Sequence, residues 1–156
     1  MLTAEEVIKL LALEPLPAEG GMWAQTWRDE FSSSIYYLLQ PGDFSALHRV
    51  TGPEIYHFYA GSAARVVLLQ PEGLTQTVAL GADIAAGARP MLAVSGGVWQ
   101  GSYTLGEWTL LGTTMAPPFR PEDFELGRRD ALIAAYPSAE DPIRMLTREP
   151  PTLGGR

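Results

Sequence analysis

The sequence lacks cysteine altogether and contains a single lysine, Lys9, among its eleven basic residues. Without cysteine the chain can form no disulfide, no thiolate metal site and no cysteine nucleophile. The net charge is −7, and the only basic cluster is the pair Arg128–Arg129. Nucleic-acid binders present basic surfaces to the phosphates, so we expect no nucleic-acid partner.

Long hydrophobic runs are also missing. No apolar stretch approaches the roughly 18–20 residues that a membrane-spanning helix needs. The first residues, MLTAEEVIKLLALEP, carry acids where a signal peptide carries its basic region. We therefore expect a soluble, cytoplasmic protein without a membrane partner.

Glycine and proline are abundant, at 16 and 13 residues, and they separate short apolar segments. Regular short strands divided by such turns favour an antiparallel sandwich or barrel, and the lack of interleaved helices argues against a βαβ fold. The predicted strands are 22–28, 34–40, 45–50, 55–59, 65–70, 75–80, 91–94, 98–103 and 108–115.

Helices are predicted only at the two ends of the chain. Thr3 and Glu6 form a capping box that begins a helix over about residues 4–13. A second helix is predicted at about 128–136, before Pro137. The tail 147–156 has the composition of a mobile end. With no internal repeat and no long linker, residues 1–156 are read as one domain with its core at about 20–118.

The two histidines, His48 and His57, lie close together in PGDFSALHRVTGPEIYHFYAG. Side chains alternate between the faces of a strand, so antiparallel pairing across Thr51–Pro53 would bring His48 and Glu54 together on one face. His57 should then point to the opposite face unless a bulge re-aims it.

The spacing Gly42, His48, Val50, Glu54, Gly61 resembles the first motif of the cupins. That motif places a second histidine where this chain has Val50. The second cupin motif resembles Ser95–Gln100, with Gln100 at its histidine position. This resemblance implies a cupin jelly-roll β-barrel of two packed antiparallel sheets.

Further blocks resemble a small single-domain cupin subfamily without a settled activity. They are GGMWAQTWR, IYYLLQPGDFSALHRV, EIYHFYAG, GVWQ and WTLLGTTMAPPF, followed by DFELG. The resemblance implies a fold similar to that of dTDP-4-dehydrorhamnose 3,5-epimerase, and it suggests a homodimer. It does not supply a reaction.

Three interpretations of the motif stay open. In the first, His48, Glu54 and Gln100 form a polar cluster that binds a small ligand in the barrel, such as a sugar, a sugar nucleotide or a small acid. In the second, His48 is the general base of an epimerase or isomerase, Glu54 orients it, and Tyr36, Tyr37, Tyr56 or Tyr103 is the acid.

In the third interpretation the chain is a metal-dependent cupin enzyme. Its ligands would be His48, Glu54 and Gln100, holding divalent Fe, Mn, Ni or Zn. The amide oxygen of Gln100 is a weak ligand for such metals, and valine cannot ligate at all. No tightly bound cofactor is therefore expected. The candidate ligand-binding side chains around the two motifs are Gln100, Tyr56, Phe58, Trp99 and His57.

Overall fold

A computed structural model of the protein describes residues 1–149, and within this range it shows two β-sheets with short helices outside them. The strands are β1 Glu14–Pro15, β2 Met22–Arg28, β3 Ser33–Leu39, β4 Ser45–Val50, β5 Glu54–Gly61, β6 Ala64–Leu69, β7 Thr75–Leu80, β8 Met91–Val94, β9 Trp99–Thr104, β10 Thr109–Met115 and β11 Phe124–Leu126. The α-helices are α1 Ala4–Leu10, α2 Arg129–Ala135 and α3 Glu140–Met145.

Neighbouring strands in both sheets run antiparallel, as the turn-rich sequence predicts. The first sheet has the order β1-β2-β3-β10-β5-β8 and the second β11-β4-β9-β6-β7. The two sheets do not join into one closed barrel. The predicted jelly roll of two packed sheets is therefore confirmed, in an open form.

The main core lies between the sheets. Leu39 and Leu111 of the first sheet meet Val66 and Leu68 of the second in one buried cluster. All four are less than 4% exposed. Complete burial of each such side chain stabilises the fold by about 1.5–3 kcal/mol, so this cluster holds the two sheets face to face.

Helices cover part of the outer face of each sheet. Val7 of α1 packs with Leu38 and Trp108 on the first sheet. Ile143 of α3 packs with Leu47 and Val67 on the second. The predicted capping box of α1 is present, since Glu6 N–H donates to Thr3 Oγ1 and the Glu6 side chain accepts from Thr3 N–H.

The sequence did not predict β1, β11 or α3. The first two strands have two and three residues and lie at sheet edges, so neither carries an alternating pattern. Helix α3 contains Pro142, which reads as a helix breaker. Pro142 lies in the first turn of the helix, where a missing N–H costs no intrahelical hydrogen bond.

The predicted mobile tail begins at residue 147, and its first residues are packed against the body of the protein. Thr147 is buried, and Arg148 Nη2 lies 3.0 Å from Asp43 Oδ1. Residues 150–156 lie outside the described residues. Within residues 1–149, no helix has the length and apolar character needed to cross a membrane.

Candidate functional site

A cavity of about 330 Å³ lies between the two sheets and opens to solvent. Most of its wall is apolar or aromatic, including Trp23, Ile35, Met115 and Phe124. Polar side chains are concentrated at two places along it. One is an inner group around His48, and the other is the rim near Arg28. Apolar walls with a few convergent polar groups are typical of small-molecule sites.

His48 is the centre of the inner group and is only 2% exposed. Its Nδ1 lies 2.7 Å from the Ala46 carbonyl oxygen. A carbonyl oxygen only accepts, so Nδ1 carries a proton and donates it. Phe124 of β11 stacks on the imidazole at a ring distance of 5.3 Å. The orientation of the ring is thereby fixed, and Nε2 faces the carboxyl groups of the cavity.

Two carboxyl groups face Nε2 of His48. Glu54 Oε1 lies 3.9 Å away. The predicted antiparallel pairing of the two strands is wrong, because β4 and β5 lie in different sheets, and the side chains meet across the space between those sheets. Glu19 Oε1 is closer, at 3.1 Å. It also accepts a hydrogen bond from Ser45 Oγ at 3.2 Å. The closest side-chain partner of His48 Nε2 is therefore a residue that lies outside both sequence motifs.

Glu19 reaches the site because its loop is fixed to β4. The Glu19 carbonyl accepts from Ala46 N–H at 2.8 Å. Gly21 N–H donates to Asp43 Oδ2, also at 2.8 Å. Gly20 has a φ of 94°, and a Cβ there would collide with the Phe44 carbonyl and Arg148. Only glycine fits such a close approach at positive φ. The Gly20–Gly21 pair was the one sequence signal for this loop.

The charges around His48 shift the pKa values of the inner group. Burial alone would lower the pKa of His48, but the carboxylates of Glu19 and Glu54 outweigh it and raise this pKa to about 9. Burial raises the pKa of Glu19, with a further contribution from Glu54 against the opposing effect of His48. One proton is thus shared between His48 Nε2 and Glu19, and at neutral pH it resides on the histidine.

Two of the four candidate tyrosines line the cavity, Tyr37 and Tyr56. Burial raises the pKa of both well above the usual value, and Glu54 is the next contributor for Tyr56. Tyr37 donates its hydroxyl hydrogen to the Gly20 carbonyl. Tyr36 and Tyr103 pack in clusters on the outer faces of the two sheets. Tyr56 is therefore the tyrosine best placed to contact a ligand near Glu54.

The remaining candidate residues do not line the cavity. Trp99 packs on the outer face of the second sheet, with Arg49 4.5 Å above its ring. His57 Nε2 lies 3.3 Å from Thr114 Oγ1, and its ring stacks on Tyr59. Its separation from His48, expected from strand parity, is present. Phe58 is partly buried against the core between the sheets.

Gln100 lies opposite His48 in the strand register, yet it is not part of a hydrogen-bonded cluster with it. The side chain is 1% exposed. Neither its amide nitrogen nor its amide oxygen has a partner among the described residues, and Ser102 Oγ on the same strand has none either. The predicted polar cluster of His48, Glu54 and Gln100 therefore does not include Gln100. Glu19 is the side chain that contacts His48 instead.

The side chains present do not fit the usual cupin metal site of three histidines and a carboxylate. Val50 lines the cavity where the second histidine would be. His48 uses Nδ1 for a backbone carbonyl, and its Nε2 faces Glu19 and Glu54. Within residues 1–149 no three histidine or acidic side chains form a group arranged to hold a metal ion. No step of a reaction is therefore assigned to a metal here.

Two facing antiparallel sheets with a polar group in the lumen define a protein of the jelly-roll class, and the comparisons identify the family. The model of the Cupin superfamily (DUF985) matches residues 5–127. The chain therefore belongs to this cupin family. No curated protein matches the sequence at a significant level.

Solved structures agree with this assignment. A Shewanella oneidensis protein is 36% identical with a TM-score of 0.91, and the match covers 96% of this chain and 100% of that one. A hypothetical protein from Leishmania major is 25% identical with a TM-score of 0.89, covering 95% and 100%. Bacillus subtilis oxalate decarboxylase is 15% identical with a TM-score of 0.60, covering 90% of this chain and 41% of the decarboxylase. That last match shows a shared fold alone.

Proposed function

We propose that the protein binds a small polar molecule in the cavity between its sheets. The observation that carries this proposal is the inner group of Glu19, His48 and Glu54, which faces an open, largely apolar cavity. His48 and Glu19 are partners of each other, and the carboxyl groups of Glu19 and Glu54 also line the accessible space. They offer hydrogen bonds to a ligand while the walls exclude water from it.

The size of the cavity limits the ligand. Small-molecule sites span about 300–1,000 Å³, and this cavity of about 330 Å³ lies at the lower end of that range. A monosaccharide or a small acid fits such a space. A sugar nucleotide would have to leave its base and phosphates outside. We therefore favour the smaller members of the ligand classes suggested by the sequence.

Filling the cavity tests this function. Val50 lines the cavity wall beside His48, and Val50→Phe would place a ring in the space that a ligand needs. A panel of small sugars and hydroxy acids would be screened by ligand-observed NMR. We expect at least one compound to bind the wild type and to lose binding to this variant. Met91→Phe, at an exposed position on β8, is the matched control.

A wild-type protein that binds no member of the panel would contradict the proposal. Binding that survives Val50→Phe would also contradict it, because the ligand would then occupy another place. Circular dichroism of both variants verifies that the fold is intact before binding is compared.

The shared proton between His48 and Glu19 favours a second candidate function, proton transfer in an isomerase or epimerase. The sequence-based hypothesis assigns the base role to His48. With a pKa of about 9, His48 holds its proton at neutral pH and is better suited to donate it. In this version Glu19 accepts the substrate proton, and His48 donates one to the developing oxyanion.

Solvent deuterium exchange distinguishes the two functions. A substrate with a hydrogen next to a carbonyl group should incorporate deuterium from D2O in the presence of the wild type. His48→Gln and Glu19→Gln should each reduce the rate by at least about 100-fold, a typical contribution of a general acid or base. If a ligand binds but incorporates no deuterium, binding without proton transfer is the function.

A further inference from the structure

The rim of the cavity carries an arginine that a β-bulge turns inward. In the pairing of β2 with β3, the register shifts between Gln25 and Trp27. Without this shift Trp27 would share a face with Gln25, since side chains alternate along a strand. With it, Arg28 lies opposite Ser33 on the cavity side, and Trp27 is exposed. Bulges that re-aim one side chain are common beside functional sites.

Arg28 is fixed in position and keeps free donors. Its Nη1 donates to the Phe119 carbonyl at 2.7 Å, and Phe119 N–H in turn donates to Ser33 Oγ at 2.9 Å. Within residues 1–149 no carboxylate forms an ion pair with Arg28. Arg49, by contrast, pairs with Glu125 at 2.7 Å. The remaining N–H groups of Arg28 are available at the cavity mouth.

The two polar ends of the cavity differ in charge. At the inner end two carboxyl groups face one imidazole, so an anionic ligand group gains nothing there. At the mouth Arg28 is the only lysine or arginine among the lining residues of the described chain. Between the ends, the walls are mainly apolar, with Thr113 as a polar exception. A ligand that matches all three regions has an anion at one end, an apolar middle and a hydrogen-bond donor at the other end.

We propose that the ligand is a small hydroxy acid whose carboxylate binds Arg28 at the mouth and whose hydroxyl group reaches Glu19, His48 and Glu54. This inference rests on the proposed function and specifies its ligand class. A planar carboxylate suits one free edge of a guanidinium, which can donate two parallel hydrogen bonds. The hydroxyl group donates to a carboxylate at the inner end. The apolar spacer between them contacts the aromatic walls.

Matched probes test the two ends separately. The probes are 6-hydroxyhexanoate and 4-hydroxyphenylacetate, each compared with its primary amide and with the acid that lacks the hydroxyl group. Affinities are measured by NMR titration on wild type, Arg28→Gln and Arg65→Gln. Arg65 lies on β6, does not line the cavity and forms no ion pair within residues 1–149, so its substitution controls for the loss of one positive charge.

We expect the wild type and Arg65→Gln to bind the hydroxy acid about tenfold more tightly than its amide, which corresponds to one charge-assisted hydrogen bond. In Arg28→Gln this preference should vanish while the affinity for the amide stays within about twofold. Removing the hydroxyl group should weaken binding about tenfold in all three proteins.

The measurements distinguish a wrong role for Arg28, a wrong role for the inner end and a wrong proposed function. Equal affinity for acid and amide in the wild type, or an acid preference that persists in Arg28→Gln, overturns the role of Arg28 and leaves cavity binding intact. Hydroxy acids that bind no better than their counterparts without the hydroxyl group overturn the role of the inner end. The proposed function itself fails if neither the acids nor the amides bind and if Val50→Phe loses no ligand from the panel of small sugars and hydroxy acids.

Discussion

Burial and two neighbouring carboxyl groups shift the pKa of His48 in opposite directions. The groups that face it are Glu19 and Glu54, with Tyr37 and Tyr56 nearby in the cavity. The carboxyl groups prevail, and the pKa of His48 in the folded protein rises to about 9 from an ordinary value of 6.5. The folded state therefore binds this proton more tightly than the unfolded state does.

This difference predicts how stability depends on pH. A raised histidine pKa contributes stability that is complete below pH 6.5 and is lost as pH rises through about 9. The raised pKa of Glu19 acts in the same direction, since its ionisation is also less favourable in the folded state. We expect the free energy of unfolding to fall by an amount on the order of a few kcal/mol between pH 6 and pH 9.5.

Urea unfolding at several pH values measures this effect. In His48→Gln the decline between pH 6.5 and 9 should be much smaller, because the raised histidine pKa is gone. His57→Gln removes an imidazole from the outer face and is the control. A wild-type stability that is flat across this range would contradict the assignment of a shared proton to His48 and Glu19.

Gln100 presents the opposite situation, a buried polar side chain without a protein partner. Burying an amide without hydrogen bonds costs about 1–3 kcal/mol. Gln100→Met keeps a similar volume and removes both unpaired groups. We expect this variant to be more stable by about 1 kcal/mol, measured by urea unfolding. A loss of stability instead would show that the amide makes hydrogen bonds in solution, and Ser102→Ala on the same strand would then be affected in the same direction.

At the scale of elements, the strands with clear alternation were predictable and the site loop was not. Nine strands could be placed because Gly and Pro turns separate them. The proximity of His48 and Glu54 was predicted from a strand pairing that is absent, since β4 and β5 lie in different sheets and these side chains meet between them. Glu19 could not be placed, because it lies 29 residues before His48 in a loop whose position depends on contacts with β4 and Asp43. Such long-range contacts leave no local periodic signal.

The bulge in β2 is a second element that the sequence did not reveal. Strict alternation from Trp23 predicts that Arg28 faces away from the cavity. A single unpaired residue reverses that direction. Nothing in the local composition distinguishes a bulged strand from a regular one here, so the charged rim of the cavity was visible only in the structure.

Helix α3 is short, and its contribution to the fold should come from packing rather than from helix propensity. Ile143 is fully buried against Leu47 and Val67. We expect Ile143→Ala to lower the free energy of unfolding by about 2–4 kcal/mol through the cavity that it leaves. Met145→Ala, at an exposed position of the same helix, should change it by less than about 0.5 kcal/mol.

Denaturant unfolding of the two variants provides the measurement. Equal effects of Ile143→Ala and Met145→Ala would indicate that α3 does not pack on the second sheet in solution. The comparison controls for the helix itself, since both substitutions introduce the same residue into the same element.

At the scale of the whole molecule, the core between the sheets and the cluster under the C-terminal helices share a strand. Strand β6 contributes side chains to both clusters, since Leu68 packs inward while Val67 packs outward. Neither cluster can lose its packing without disturbing the strands that carry the other. The single domain read from the sequence therefore leads to a thermodynamic expectation.

We expect one cooperative unfolding transition. Tryptophan fluorescence and far-ultraviolet circular dichroism should give the same midpoint in urea, as two-state domains of this size usually do. Leu111→Ala, in the core between the sheets, and Ile143→Ala, under α3, should each move both signals together without separating them. If Ile143→Ala produced an early transition in one signal only, the C-terminal helices would unfold independently of the sheets. The cavity site, which lies between the sheets, would then remain intact in a partly unfolded protein, and small-ligand binding would persist past the first transition.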